Sequence, residues 1–309
     1  MRVFVTGATG FIGSAVVKEL IAAGHQVIGV YRSDDKAPAL AAAGAEVYRG
    51  SIDDPDSLKD GAARSDGIIH LAFNHDFSQF AANCETDRRV ITALGSVLAG
   101  SDRPLIVTSG TGMAGPTPGR LSTEEDPPYS GPGSIPRIAS EEAAALTAER
   151  GVRVSVVRLP QVHDPEKQGL VTYAIGVARE KGVSIFAGDG ANRWPAVHRL
   201  DAARLYRLVL EKGVAGTRYN AVAEEGVTFR EIAQAIGRRV KVPVVSKSPE
   251  EAAEHFGWLA HFTAMDSPAS SERTRKLLGW RPTQTGLIAD LDAAQYFEPG
   301  TARVVAARQ

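Results

Sequence analysis

The sequence predicts an α/β fold: a doubly wound parallel sheet covered by helices on both faces, followed by a smaller mixed α/β layer. Three observations predict it. Short apolar runs alternate with amphipathic stretches through the first half of the 309 residues, at the spacing of parallel strands joined by helices. A glycine-punctuated turn, with Gly7, Gly10 and Gly13, separates the first run from the first helix. After His163 the alternation loosens, which marks the second layer.

Each element follows from its pattern. Val3, Phe4 and Val5 are apolar with nothing polar between them, as a strand buried on both faces requires. The helix over 14–23 carries Val16, Val17, Leu20 and Ile21 on one stripe and stops at Gly24. Residues 27–31 form the second strand, 36–43 an alanine-rich helix ended by Gly44, and 46–48 a short third strand. A short helix lies behind Pro55 over 54–61, a fourth strand over 67–73, a long helix over 77–99 and a fifth strand over 105–108. Glycine, proline, serine and threonine dominate residues 110–136; a loop of this length in a compact domain is a functional lid or a mobile segment. Ser140 reads as the cap of the next helix, with Glu141 and Glu142 in its first turn, and 152–159 as the sixth strand.

In the last third, 169–182 and the stretch from Asp201 to Lys212 read as helices, with Asp201 as a cap. Thr228 and Glu231 form a capping box for a helix over 228–238. A short strand over 242–245, helical stretches over 249–262 and 270–279, and an unpatterned, disordered tail after Gly300 complete the chain. The division is a dinucleotide-binding domain over 1–165, with a return segment near 193–212, and a smaller substrate-binding region over 166–309.

Composition excludes several classes. A formal net charge of −1 argues against a nucleic-acid or anionic-membrane surface. No run approaches the roughly 18 apolar residues of a membrane span. The single cysteine, Cys84, allows no intramolecular disulfide and no thiolate metal cluster, and it reads as an inert core residue in a helix. There is no His-x-x-x-His zinc signature and no Gly-x-Ser-x-Gly elbow. The chain enters its first strand at once, without a signal-peptide layout, so the expected compartment is the cytoplasm.

The glycine turn carries the first functional implication. Strand, glycine turn and helix is the layout that holds a dinucleotide: one glycine for the tight turn, one for close approach of the backbone to the pyrophosphate, one for close helix–strand packing. The helix N-terminus adds unpaired N–H groups and a favourable dipole. The spacing is Gly-x-x-Gly-x-x-Gly.

Five motifs then resemble the extended and atypical short-chain dehydrogenase/reductases, the group described as NAD-dependent epimerase/dehydratase. They are Thr6-Gly7-Ala8-Thr9-Gly10-Phe11-Ile12-Gly13, His70-Leu71-Ala72, Arg158-Leu159-Pro160, the segment Ala196-Val197-His198-Arg199-Leu200-Asp201-Ala202-Ala203, and Leu278-Gly279-Trp280-Arg281-Pro282. The resemblance extends to about residue 297. It implies a Rossmann-type core with NAD(H) or NADP(H). It implies that Leu71, Ala72 and Phe73 line the adenosine side, that Thr108 and Ser109 end the fifth strand near the nicotinamide, and that Pro160 to Val162 present backbone to the nicotinamide amide. It places Asn83 where the family often has asparagine, and Ser51 and Ile52 at the adenine, with Ser51 where an aspartate is usual. Dimers are common in the group, so a homodimer is a further expectation, with the helix over 77–99 as its candidate face.

The second strand ends Val30-Tyr31-Arg32-Ser33, with no acid at the position that selects NAD through the ribose hydroxyls. Arg32 and Ser33 suit a 2′-phosphate, which predicts a preference for NADP(H) over NAD(H).

The resemblance breaks at the reaction centre. The family's proton donor lies in Tyr-x-x-x-Lys, and this chain contains no such motif. By position Arg137 stands for the tyrosine, Glu141 for the lysine, and Gly110 for the usual serine, between Ser109 and Thr111. Arginine is always charged and cannot donate the proton, but it can bind an oxyanion or carboxylate. The candidates are therefore Ser109 or Thr111 to polarise the substrate, and His163 or Tyr129 to supply a proton, with His75 on the same rim. Arg193 and Trp194 read as a clamp for an aromatic or anionic small-molecule substrate. The reading is an NADP(H)-dependent oxidoreductase acting on a small carbonyl or imine; the alternatives are a non-catalytic dinucleotide sensor or scaffold and a nucleotide-sugar epimerase or dehydratase.

Overall fold

The computed structural model describes residues 1–293; the expectation for the tail after Gly300 falls outside them. The first part of the chain runs β1 (Arg2–Thr6), α1 (Phe11–Ala22), β2 (Gln26–Tyr31), α2 (Ala37–Ala42), β3 (Glu46–Arg49), α3 (Lys59–Ala63), β4 (Gly67–His70), α4 (Phe80–Leu98) and β5 (Pro104–Gly110). It continues through α5 (Ala139–Glu149), β6 (Arg153–Leu159), β7 (Gln161–His163), α6 (Val171–Lys181), β8 (Ser184–Ala187), β9 (Arg193–His198) and α7 (Arg199–Lys212). The last described elements are β10 (Arg218–Asn220), β11 (Glu224–Thr228), α8 (Phe229–Val240), β12 (Val244–Lys247), α9 (Pro249–Phe256), α10 (Ala260–Thr263), α11 (Glu272–Leu278) and α12 (Leu287–Ala293).

Seven strands form one parallel sheet in the order β10-β6-β5-β4-β1-β2-β3. The order reverses at β1, next to β4, and a doubly wound sheet opens its ligand crevice at that point. Val3, Phe4 and Val5 are fully buried, as a strand covered on both faces must be. On one face α1 and α7 close the core through Val16, Leu20, Leu205 and Tyr206. On the other, α4 and α5 close it through Val90, Ile91, Leu94, Ala143 and Ala144. A third core gathers Trp194, Phe229, Ile232, Phe256 and Leu287 around a three-stranded sheet, β11-β9-β7, and a pair, β12-β8. The chain therefore leaves the first layer after β6 and returns to it with α7 and β10.

Several boundaries differ from the sequence reading, each for a local reason. The fourth strand stops at His70, because the N–H groups of Leu71 and Ala72 donate to Thr6 Oγ1, both at 3.2 Å, and leave the ladder. Ser140 does not cap a helix: a 3₁₀ turn over Pro136–Ile138 leads straight into α5, and the Ser140 hydroxyl donates to Asp87 at 2.6 Å. Asp201 does not cap α7 either. His198 does, accepting from Leu200 N–H, while the Asp201 carboxylate holds the N–H groups of Thr283 and Gln284. The predicted helix over 249–262 is broken at Gly257, whose φ of +56° ends α9. The capping box at Thr228 and Glu231 forms.

Candidate active site

The carboxyl ends of β1, β4 and β5 and the segment after β6 open into a cleft of about 700 Å³. At one end lies the glycine turn. Gly7 has φ +67°, and a Cβ there would meet the backbone of Leu71 and Ala72 within 2.9 Å. A Cβ on Gly13 would lie 2.0 Å from Gly7 O, so only glycine lets α1 start this close to β1. The N-cap of α1 is Gly10, with no side-chain cap and no acid in the first turn. That end of the helix offers bare N–H groups to the cleft, as an anion site requires. Lys167 Nζ lies 5.8 Å from the centre of the Phe11 ring beside it.

Of the residues read as cofactor-binding, Gly7, Thr9, Gly10, Phe11, Ile12, Gly13, Arg32, Ser51, Ile52, Leu71, Ala72, Phe73, Thr108, Pro160 and Val162 all line this cleft. Two do not. Ser33 stands at the start of the short turn that follows β2, outside the cleft lining. Asn83 spends its amide on the carbonyl of Asp76, at 2.9 Å, on the outside of α4. The cleft lining contains Arg32, Arg137 and Lys167 and no aspartate or glutamate, which suits a phosphate-bearing ligand.

At the other end stands Arg137, on the turn before α5. Its Nη1 donates to Asp87 Oδ2 at 2.5 Å and to the Ser140 hydroxyl, and its Nη2 to the carbonyl of Thr108 at 3.1 Å. One face of the guanidinium lies 4.0 Å from the centre of the Phe73 ring. A guanidinium has five N–H donors, so Nε–H and one Nη2–H keep no acceptor among the described residues.

Behind Arg137 runs a buried chain of partners. Thr6 Oγ1 already accepts two backbone N–H bonds, so its own hydrogen goes to His70 Nδ1 at 2.7 Å. That leaves His70 Nε2–H to donate to Asp87 Oδ1 at 2.9 Å. Burial alone would raise the Asp87 pKa, but the Arg137 charge, with His70 and the Ser140 hydrogen bond, holds the carboxyl well below the usual range. The chain physically connects the residue before Gly7 with the guanidinium in the cleft.

The sequence missed Asp87, yet a signal was present. Cys84, Asp87, Ile91, Leu94 and Leu98 all face inward from α4. An acid on the apolar stripe of a helix needs a buried partner.

Ser109 lines the cleft, but its hydroxyl donates to Glu141 Oε1 at 2.7 Å. Glu141 is in turn clamped by Arg158 through Nε and Nη2, both at 2.7 Å, and all three side chains are buried. Thr108 also lines the cleft; its hydroxyl donates to the carbonyl of His70 and accepts from Tyr206. Burial pushes the Tyr206 phenol up.

The structure corrects five of the remaining candidates. Thr111 is buried and lines no part of the cleft. Tyr129 belongs to a separate pocket of about 190 Å³ with Met113, Ile138, His261 and Met265, and its hydroxyl donates to Pro132 O. His163 is fully buried and turned toward α12, with Nδ1 2.7 Å from Asp290 Oδ2. Arg193 is held in a two-point pair with Asp266. Trp194 is 3% exposed and packs edge-on against Phe229, so it fills the third core instead of meeting a substrate. His75 does stand on the cleft wall, open to the cleft and flanked by protein. The protein packed around it, then the charges of Arg137 and Lys167, lower its pKa even though the ring is exposed to the cleft, and the ring is neutral near pH 7.

Cys84 is buried, and burial pushes its thiol up to about 11. Among the described residues no group of three His, Cys, Asp or Glu is placed to hold a metal ion, and no helix is long and apolar enough to cross a membrane.

Sheet order, glycine turn and crevice define a dinucleotide-binding α/β protein of the short-chain dehydrogenase/reductase type. The chain belongs to the NAD dependent epimerase/dehydratase family, whose model matches residues 3–221. It is 50% identical over 298 residues to an uncharacterized protein of Schizosaccharomyces pombe, covering 96% of this chain and 100% of that one. It is 30% identical over 269 residues to 2′-dehydrokanamycin reductase of Streptomyces kanamyceticus, covering 83% of this chain and 72% of the relative. The structure of the Thermus thermophilus UDP-glucose 4-epimerase in complex with NAD superposes with a TM-score of 0.74 at 21% identity, covering 97% of this chain and 100% of that one. These relatives include a reductase and, at the level of the fold, an epimerase whose structure holds NAD.

Proposed function

We propose that the protein is an NADP(H)-dependent oxidoreductase that moves hydride to or from a small carbonyl or imine substrate. The observation that supports this most is one cleft holding both the glycine turn and the Arg137 guanidinium with two uncommitted N–H groups. When bound, the nicotinamide would give or take the hydride.

The residues of the chain account for the rest. The bare start of α1 and Lys167 hold the diphosphate. Arg32 lines the cleft beyond β2 without an acceptor among the described residues, which supports recognition of a 2′-phosphate. Arg137, fixed by Asp87 and stacked on Phe73, offers a pre-oriented positive edge to a carbonyl oxygen as negative charge develops on it.

Proton supply separates the two forms of substrate. Arg137 cannot give up a proton, the Ser109 hydroxyl is committed to Glu141, and His75 is held neutral. That leaves solvent in the open cleft, or the Lys167 ammonium and the Tyr173 phenol that also line it, as the source of the proton for a reduced carbonyl. An iminium carries its proton in. The lack of a free side-chain acid at Arg137, Ser109 and His75 favours a second reading, a dinucleotide sensor, and weighs against a sugar epimerase, whose reaction moves a proton on and off the same oxygen.

Titration with NADPH and NADH, then NADPH oxidation assays over aldehydes, ketones and cyclic imines, tests the proposal. Tighter NADPH binding with turnover of at least one carbonyl or imine supports it. Stoichiometric NADPH binding without turnover replaces it with the sensor.

A further inference from the structure

The cleft wall beyond Arg137 is a run of rings. Phe73 lies under the guanidinium; His75 is edge-on to Phe73 at 5.2 Å between centroids; Phe77 follows at 6.2 Å. Trp258, from the turn between α9 and α10, stacks on Phe77 at 4.7 Å and 20°. Tyr173, from α6, closes the group edge-on to Trp258 at 5.1 Å and to Phe77 at 6.2 Å.

Four of these rings, Phe73, His75, Phe77 and Tyr173, line the cleft itself. Their exposure is unusual for this chain. Trp194 and Trp280 are 3% and 0% exposed, whereas Trp258 is 50% and Tyr173 41% exposed. Three separate segments have thus brought large rings to one place and left Trp258 and Tyr173 exposed there. Among the described residues no hydrogen bond joins the stretch 73–80 to 256–263, so this contact is made by rings.

Charge decides what such a wall accepts. Ring clusters that bind organic cations work through the negative ring faces. Here Arg137 and Lys167 line the same cleft, no carboxylate does, and His75 is neutral. A cation, the iminium form of an imine included, would be repelled, which narrows the substrate to the carbonyl form, while a flat neutral or anionic group gains stacking from the rings and a charge-assisted bond from Arg137.

We propose that the substrate is a flat, conjugated carbonyl compound, an aryl ketone or aldehyde in the simplest case, with its ring against the Phe73, His75, Phe77 and Tyr173 rings that line the cleft, backed by Trp258, and its oxygen on Arg137. This rests on the reading of Arg137 as the oxygen-binding group.

The test uses two ketones of equal carbon count and similar shape, acetophenone and cyclohexyl methyl ketone, titrated by calorimetry into the full chain loaded with NADP⁺. Acetophenone is expected to bind about tenfold tighter, the order of one or two good ring contacts. Phe77→Leu, which keeps apolar bulk and removes the ring, is expected to erase the difference. Acetophenone is also expected to quench a saturable share of tryptophan emission that Trp258→Phe abolishes.

Equal affinity for the two ketones, or no saturable binding of either, overturns the proposal. So does a Trp258 signal that changes with protein concentration alone, which would give the ring wall to a second copy of the chain. Ring-dependent binding without NADPH oxidation sinks the hydride-transfer reading and leaves this one standing. Equal kcat/KM for both ketones does the reverse.

Discussion

The two ends of the cleft are made of different materials. At the glycine end the surface is backbone: Gly7, Gly10 and Gly13, the open N-terminus of α1, and the carbonyl and amide groups after β4. At the Arg137 end it is side chain: a guanidinium held by Asp87 and Ser140, a ring beneath it, and further rings beyond. Backbone geometry admits almost no substitution. Side-chain chemistry can be exchanged while the sheet stays as it is. The difference explains how a chain keeps a family's dinucleotide turn while the far end of its cleft carries Arg137 and a Glu141 spent on Arg158.

The largest effect that would break this contrast is expected at Asp87. Asp87→Asn leaves the half-buried Arg137 charge without its counterion, and the expected loss of stability is about 3 kcal/mol, the low end for a broken buried pair because the guanidinium keeps contact with the cleft. The pH dependence carries a sign. The folded-state pKa of Asp87 lies below its ordinary value of 3.8. Its contribution is therefore complete above that value and is lost as pH falls through the folded pKa. Urea unfolding between pH 5 and acid, both approximate limits set by that linkage, should show a shallower decline for the variant. An unchanged unfolding midpoint would show that the pair does not hold Arg137.

The glycine end should respond next. At Gly13 a methyl group has to displace the backbone of Gly7, an overpacking cost of about 1–3 kcal/mol. Gly13→Ala is expected to weaken NADPH binding by up to about 100-fold. Binding at the wild-type level, read by NADPH fluorescence, would mean that α1 adjusts without disturbing the turn.

Arg32→Ala sharpens the comparison from the adenosine side. Loss of one charge-assisted contact is worth about 1.5–3 kcal/mol. NADPH affinity should fall roughly 10- to 100-fold while NADH affinity holds. An equal fall for both cofactors would assign Arg32 a general electrostatic role.

The smallest effect is expected at Tyr129, whose hydroxyl donates only to Pro132 O, outside the cleft. Tyr129→Phe should change stability by less than about 0.5 kcal/mol and leave turnover unchanged. A large loss of kcat would bring the second pocket into the reaction.

The sequence was legible wherever the requirement is local. The glycine spacing, the apolar strand before it and the capping box at Thr228 and Glu231 are each set within a few residues, and all three appear in the structure. Candidates chosen for proximity along the chain fared differently. His163 follows β6 closely but turns to Asp290, 127 residues away. Arg193 and Trp194 are neighbours in sequence and part company in space, one to Asp266 and the other to Phe229. An arginine and a tryptophan do share one run of rings, but they are Arg137, in the cleft, and Trp258, behind Phe77, joined through Phe73, His75 and Phe77.

By itself, then, the sequence determined the doubly wound sheet, the dinucleotide turn and the absence of Tyr-x-x-x-Lys, because periodicity, glycine conformation and short motifs are properties of adjacent residues. Tertiary structure alone decided that Asp87 meets Arg137 across 50 residues, that Glu141 is spent on Arg158, and that rings from α6, the stretch after β4 and the turn before α10 share one wall. Those pairings depend on how layers pack, and no local pattern encodes which buried charge will find which partner.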